Sequence, residues 1–262
     1  MSVRIFRRAW RVAALLLCGA AGASCSSSSS GPNAPFAIQF HPPELPSLVV
    51  GDQLHDTLGN VDSLHAVAFN SSGDSIAGAP IRFVQADTTT VVSIDSITGH
   101  VTANALGSAR VVAQAGSLQS PPETLFVVAR PDLLAAITPL TDTLDYTRAR
   151  SDSLFPLSVA LSSSGTPVDH WRIEYRFIYP AELNTLDSTR VFLSTENRKF
   201  SLVDTTGAGL SGVSGTATRY LRISALSTVL DDSVVVEARA FLPDHTVVPG
   251  SPLRFKVLVH IP

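Results

Sequence analysis

Three sets of residues have the types and spacing from which chemistry could be built. The first, Gly207-Ala208-Gly209-Leu210-Ser211-Gly212, has the G-x-G-x-x-G spacing of a dinucleotide-binding turn. That chemistry needs a strand before the glycines and a helix N-terminus after them, whose free N–H groups hold the pyrophosphate. Here residues 213–223 are broken by glycine and then strand-like, so the segment reads as a flexible hairpin loop. Within it, Gly209-Leu210-Ser211-Gly212-Val213 lacks the final glycine and the following helix of a nucleophile elbow. The second set is the seven histidines: His41, His55, His65, His100, His170, His245 and His260. None is paired at metal-ligand spacing and no His-Glu-x-x-His occurs. His65 and His100 fall on strands, with their rings expected toward solvent. The third set is Asp142, Asp145 and Asp152, with Asp231-Asp232 further on. Calcium needs six or more oxygens from converging loops, and these carboxylates read instead as solvated turn residues. The expectation is therefore no catalytic residue, no cofactor, no metal and no enzyme.

Cys25 is a different case. Arg4, Arg7, Arg8 and Arg11 precede an apolar run at 12–17 and small residues at 19–24. The run is too short for a membrane-spanning helix, which needs about 20 residues. Cys25 follows Gly22-Ala23-Ser24 and precedes a serine run, Ser26-Ser27-Ser28-Ser29-Ser30. The pattern resembles a bacterial lipoprotein signal: residues 1–24 are removed and Cys25 becomes an acylated N-terminus. An ordinary secretory signal cut nearby is the alternative, and Cys18, directly after Leu17, is the poorer acceptor. At most one cysteine survives, so no intramolecular disulfide forms, and lipidation gives the leftover thiol a role. Residues 25–35 form a Ser-rich tether with a reach of roughly 17 Å. Losing the four arginines takes the formal charge from −3 to −7. That argues against nucleic acid or an anionic membrane surface as a partner. The expected membrane contact is the lipid anchor itself.

The elements that must carry these residues are strands. Hydrophobic residues make up 45% of the chain and charged ones 16%, enough to pack a core. In the first half strands are predicted near 36–40, 47–50, 53–58, 64–70, 81–85, 91–94, 101–103, 108–115 and 124–129. Turn signals such as Pro42-Pro43, Gly59-Asn60 and Gly78-Ala79-Pro80 separate them, at the spacing of a sandwich. In 91–113 two glycine turns, Gly99 and Gly107, join three short strands. Val101 and Ala103 face inward, as do Ala109, Val111 and Ala113. Arg130-Pro131-Asp132 marks a boundary, because proline ends the outgoing strand. Beyond it, Trp171, Ile173, Tyr175, Phe177 and Tyr179 alternate with Arg172, Glu174 and Arg176, and this strand should anchor a second core. Strands at 154–161, 190–193, 200–203, 216–224, 233–241 and 253–259 complete a second antiparallel set. A weak helical period covers 132–137.

The run Ser93-Ile94-Asp95, Thr98-Gly99-His100-Val101-Thr102-Ala103 and Gly107-Ser108-Ala109-Arg110-Val111-Val112-Ala113 resembles the bacterial immunoglobulin-like domain of group 2. Leu48-Val49-Val50-Gly51-Asp52 is similar to that family's opening strand, and the likeness covers about residues 44–128. Phe83 stands where the family often has Trp. The second half, through Asp204-Thr205-Thr206-Gly207 and Arg219-Tyr220-Leu221-Arg222-Ile223, is loosely similar to another bacterial Ig-like group. The resemblance implies an all-β chain: a signal peptide (1–24), the tether (25–35) and two tandem Ig-like sandwiches (36–129 and 131–262). It implies a spacer or adhesive module of the cell envelope, placed at the outer membrane or cell surface, with a protein or polysaccharide partner. The alternative is a carbohydrate-binding or accessory subunit of an envelope enzyme complex, for which exposed aromatic rings would speak.

Overall fold

The computed structural model describes residues 34–145, 153–179, 191–195, 203–204, 208–212, 214–223 and 233–260. The signal peptide, Cys25 and the tether up to residue 33 lie outside the described residues. So do Asp152, Asp231, Asp232, the strand expected at 200–202 and the side chains of Asp145 and His260. Among the described residues every regular element is a strand.

The first half holds β1 (Ala37–His41), β2 (Ser47–Val49), β3 (His65–Phe69), β4 (Arg82–Gln85), β5 (Val92–Ile94), β6 (Val101–Ala103), β7 (Gly107–Ala115), β8 (Leu118–Gln119) and β9 (Glu123–Val128). One sheet runs β2-β9-β7-β4, and β1-β3 and β5-β6 form pairs of their own. The second half holds β10 (Leu133–Ala136), β11 (Thr141–Asp145), β12 (Ser153–Ser163), β13 (Thr166–Pro167), β14 (Arg172–Tyr179), β15 (Val191–Ser194), β16 (Val203–Asp204), β17 (Ala208–Leu210), β18 (Thr216–Ile223), β19 (Ser233–Ala240) and β20 (Leu253–His260). Its sheets run β10-β12-β18-β15-β16 and β11-β20-β19-β14-β17. Among the described residues the chain is all-β, two β-sandwiches in tandem.

Each half opens on a strand that changes sheets. β1 pairs antiparallel with β3, and after Pro42, Pro43 and Pro46 the chain pairs β2 in parallel with β9. β10 pairs antiparallel with β12, and after Pro139 the chain pairs β11 in parallel with β20. A strand crossing between sheets must break its ladder, and proline, lacking an N–H, does so at no further loss. The switch also explains Pro156 inside β12. It sits opposite Tyr220 of β18, beyond the last residue pair with β10, so its other side has no ladder to interrupt. The strands expected at 154–161, 190–193, 216–224, 233–241 and 253–259 pair antiparallel as expected, and β11, absent from the expected set, adds a parallel pairing with β20.

The 91–113 segment folds as its residues require. Asp95 Oδ1 accepts from the N–H groups of Ile97 (2.9 Å) and Thr98 (3.0 Å). Those bonds hold its carboxyl below its usual range. Gly99 closes the β5–β6 turn at φ +75°, with the space for a Cβ blocked by Leu64 O at 2.8 Å. Val101, Ala103, Ala109, Val111 and Ala113 are buried with Leu48, Leu54, Leu125 and Val127, and Phe83 meets Phe40 edge to face.

Four other expectations change. Residues 53–58 give isolated bridges, Gln53 to Thr102 and His55 to Val61. Asp56 Oδ1 takes the N–H groups of Leu58 and Asn60, which curls the backbone away from a ladder. Residues 132–137 are not helical but contain β10: its Leu and Ala residues favour helix, yet pairing with β12 buries Leu134 and overrides them. Trp171, Ile173, Tyr175 and Phe177 are buried as expected, but Tyr179 is exposed. A register shift between Phe177 and Tyr179 against β19 turns the last ring outward. The expected loop at 207–212 contains β17, which pairs with Arg172, Ile173 and Glu174 at the sheet edge.

Candidate functional site

A groove lies where the two sandwiches meet. The first contributes Leu45 to Leu48 and the turn around Asp56, Thr57 and Gly59; the second contributes His170, Trp171, Arg172, Glu174 and the Phe241–His245 turn. The space inside is about 40 Å³, a water or two in size. A groove so narrow is chiefly a joint.

The joint is built from directed contacts. Ser47 Oγ of β2 donates to the backbone oxygen of His170. The His170 ring stacks on Phe126 of β9, with centroids 3.6 Å apart and planes 10° from parallel. His170 holds φ +55°, an uncommon region for a residue with a Cβ. Its N–H donates to Ser211 O (2.8 Å), and its Nδ1 lies 3.1 Å from Asp169 Oδ2. Across the groove, a Cβ on Gly59 would sit 2.8 Å from His245 Cβ, so the turn at Gly59 approaches the Phe241–His245 turn too closely for any other residue. His245 also has positive φ and stacks on Phe241 at 4.5 Å. Arg130 Nη2 lies 3.6 Å from Asp244 Oδ2. Val49 and Val128 pack into the hydrophobic cluster of the second half, and Pro131 is buried between them in sequence and β10.

The turn that meets His245 is itself stiff. Asp56 accepts from Leu58 N, Asn60 N and Asn60 Nδ2. The side-chain bond from Asn60, then its backbone bond, hold the Asp56 carboxyl below its usual value. His55 lies with Nδ1 3.1 Å from Gly59 O and Nε2 3.2 Å from Asp52 Oδ1. Both positions can donate at once if the ring is protonated.

The residues singled out in the sequence distribute as follows. His55, His170 and His245 converge on the groove, which their spacing in the chain did not suggest; His65 and His100 are solvent-exposed, as expected. No group of three metal-binding side chains occurs among the described residues. Asp142 is exposed, its Oδ1 accepting from Thr143 N (2.7 Å). Ser211 is buried; its Oγ donates to Val168 O (2.8 Å) and accepts from Trp171 N (3.0 Å). Both bonds pin the start of β14, and the hydroxyl is committed to structure. Trp171 Nε1 donates to Phe241 O (3.0 Å), tying the core ring to the groove wall. Positive φ at His170 and His245 was invisible beforehand, because nothing in a lone histidine announces a left-handed backbone.

Sequence reasoning also missed a charge cluster on the outer face of the second sandwich. Glu237 of β19 is buried at its side chain, 1% exposed, beneath Arg176, Arg239 and Arg254. Arg176 Nε and Nη2 approach Oε1 at 3.1 and 3.0 Å, and Arg254 Nε approaches Oε2 at 3.1 Å. Arg239 Nε also donates to Oε1. Burial pushes the Glu237 carboxyl up, and the three guanidiniums together pull it below its usual value. The signal was present as Arg176, Glu237 and Arg254 on alternating strands, but it needed the register to read.

No family model matches the chain, and no curated protein matches it. Among solved structures it is similar to the S-layer protein rSbsC(31-844), at 14% identity over 86% of this chain and 28% of that one, TM-score 0.31. It is similar to fibronectin(III)-like modules of Clostridium thermocellum CbhA, at 14% identity over 86% of this chain and 95% of that one, TM-score 0.30. A third is the Yersinia pseudotuberculosis adhesin InvE, at 11% identity over 86% of this chain and 59% of that one, TM-score 0.33. The chain spans less than a third of the longer S-layer structures it matches.

Proposed function

We propose that this chain is a non-enzymatic bacterial envelope lipoprotein whose two Ig-like domains form a stiff spacer carrying a binding face. In this reading residues 1–24 are the signal peptide, Cys25 is acylated and residues 25–35 are the tether. The first domain, 36–129, is a group 2 bacterial Ig-like domain, and the second covers 131–262. The observation that carries the reading is the joint. A spacer must hold its far end at a fixed place, and Arg130-Pro131 leaves almost no slack. The Ser47–His170 bond, the Phe126–His170 stack and the Gly59–His245 approach brace that short link from both sides. Ser211, the side chain closest in sequence to a nucleophile motif, holds the start of β14 instead.

Acylation by two or three chains anchors a protein stably where one does not, since each buried CH₂ contributes about 0.8 kcal/mol. Mass spectrometry of the mature N-terminus, with protease shaving of intact cells, tests the reading. An acylated Cys25 and a shaved protein are expected, and Cys25→Ala should leave the detergent phase. An unmodified Cys25, or cleavage elsewhere, would refute the anchor. The carbohydrate-binding alternative draws on one observation, the Phe241–His245 stack at the groove mouth, where His245 is exposed.

A further inference from the structure

The outer face of β14, β19 and β20 is a strip of charge. Arg176, Glu237 and Arg254 lie opposite one another across the three strands. Glu174 lies opposite Arg239, and Val235 opposite Lys256. Arg172 continues the β14 row to the groove, whose wall it shares with Phe241 and His245. Four arginines and one lysine face two glutamates, a local charge of +3 on a chain whose formal charge is −3. The first half, 36–129, has eight acidic residues against Arg82 and Arg110, which makes the strip stand apart from its surroundings.

The strip is organised as well as basic. An exposed arginine alone spends entropy to settle on an anion. Here one buried carboxylate holds three guanidiniums by their Nε edges and leaves two positive charges uncompensated. Arg176 is half exposed and Arg254 two-thirds exposed. A guanidinium has five N–H donors, of which Glu237 takes one or two. Its planar fork matches a carboxylate in two bonds at once.

We propose that this strip binds a linear acidic polysaccharide, its carboxylates over Arg176, Arg239 and Arg254 and a sugar ring against the Phe241–His245 stack. The proposal builds on the reading of the chain as a binding module and names the partner's chemistry. A protein partner fits less well, because protein interfaces place apolar and aromatic anchors at the centre and deplete charge there; this strip has charge at its centre. A bilayer fits less well too. The apolar side chains that reach solvent beside these charges are few, Tyr179, Val235 and Leu258, so little could insert. A polymer one chain thick feels only charges within a Debye length of about 8 Å.

Calorimetry of the full chain in neutral detergent, titrated with polygalacturonate oligosaccharides, tests this directly. Binding is expected, weakened by added salt, and absent for neutral dextran. The double variant Arg176→Gln/Arg254→Gln should weaken it by at least about tenfold, while Arg82→Gln/Arg110→Gln should leave it unchanged. If the double variant fails to fold by circular dichroism, Arg254→Gln alone keeps Glu237 paired and should still weaken binding severalfold. No binding of polygalacturonate, or equal binding by the folded strip variants, overturns the proposal. Strip-dependent binding of poly-glutamate or of phosphatidylglycerol vesicles without polygalacturonate overturns it in favour of those partners. Each outcome is independent of whether Cys25 is acylated, so the anchor and the strip can fail separately.

Discussion

In the first sandwich the interior is made mostly of small and aliphatic side chains: Val101, Ala103, Ala109, Val111, Ala113 and Leu125, with Phe40 and Phe83. In the second it is made around rings: Phe155, Trp171, Tyr175, Phe177 and Phe255. The chain path is nonetheless shared, with an opening strand that pairs antiparallel, breaks at proline and pairs in parallel with the last strand of the half. Topology here follows from where the ladder is broken, and side-chain volume decides only how the interior is filled. The rings bring polar tips that the aliphatic core does not have to satisfy. Tyr175 Oη donates to Ala217 O at 2.9 Å, with burial pushing its phenol well above its usual range, and Trp171 Nε1 reaches Phe241 O.

That contrast is open to breaking. Trp171→Ala should produce the largest loss, about 3–5 kcal/mol, because the ring fills the core and its N–H holds the groove wall. Phe83→Ala in the first half should fall at the low end of that range, its ring lying among small side chains. Denaturant unfolding by circular dichroism compares them; a loss below about 1 kcal/mol for Trp171→Ala would remove that ring from the core.

Two glycines compare the halves at the backbone. Gly250, at φ +85°, would place a Cβ 2.2 Å from Leu134 O in β10; Gly99, at φ +75°, would place one 2.8 Å from Leu64 O. Alanine at either costs about 1–3 kcal/mol from the left-handed backbone, and the tighter clash should put Gly250→Ala above Gly99→Ala. Equal or reversed melting shifts would mean that β10 yields more easily than its pairing implies.

The charged pairs sharpen the comparison at smaller cost. Glu237 has a carboxyl lowered in the folded state, so its stabilisation is present above its ordinary value of 4.5 and is lost as pH falls through the lower folded value. Glu237→Gln should cost about 1–3 kcal/mol at neutral pH, with the deficit shrinking in acid as the wild-type carboxylate takes up its proton. In the first half Asp87 is also lowered, first by its hydrogen bond from Arg110, but that pair is open to water. Asp87→Asn should leave the neutral-pH melting midpoint unchanged. A pH-independent deficit in Glu237→Gln would detach the cluster from stability.

Much of this arrangement was legible in the residues. Val101 with Ala103, Asp95 with Gly99, and the alternation from Trp171 to Phe177 each encode a local rule, inward face or turn, and each folds accordingly. What was not legible depends on partners far along the chain. Leu133-Leu134-Ala135-Ala136 has helical preference and becomes a strand because β12 offers a ladder. β11 carries polar residues, and its parallel partner lies more than a hundred residues away. Tyr179 leaves the core through a shift in register that alternation cannot express. The groove was hidden for the same reason: His55, His170 and His245 meet only when two sandwiches are joined end to end.

A stiff spacer requires a rigid joint, and amide ¹⁵N relaxation measures that rigidity without any substitution. If the contacts at Ser47, Phe126, Gly59 and His245 brace the link, amides of β1–β9 and of β10–β20 should report one shared rotational correlation time, set by the whole molecule. Two distinct and shorter times would show the halves tumbling separately and would contradict the stiff spacer.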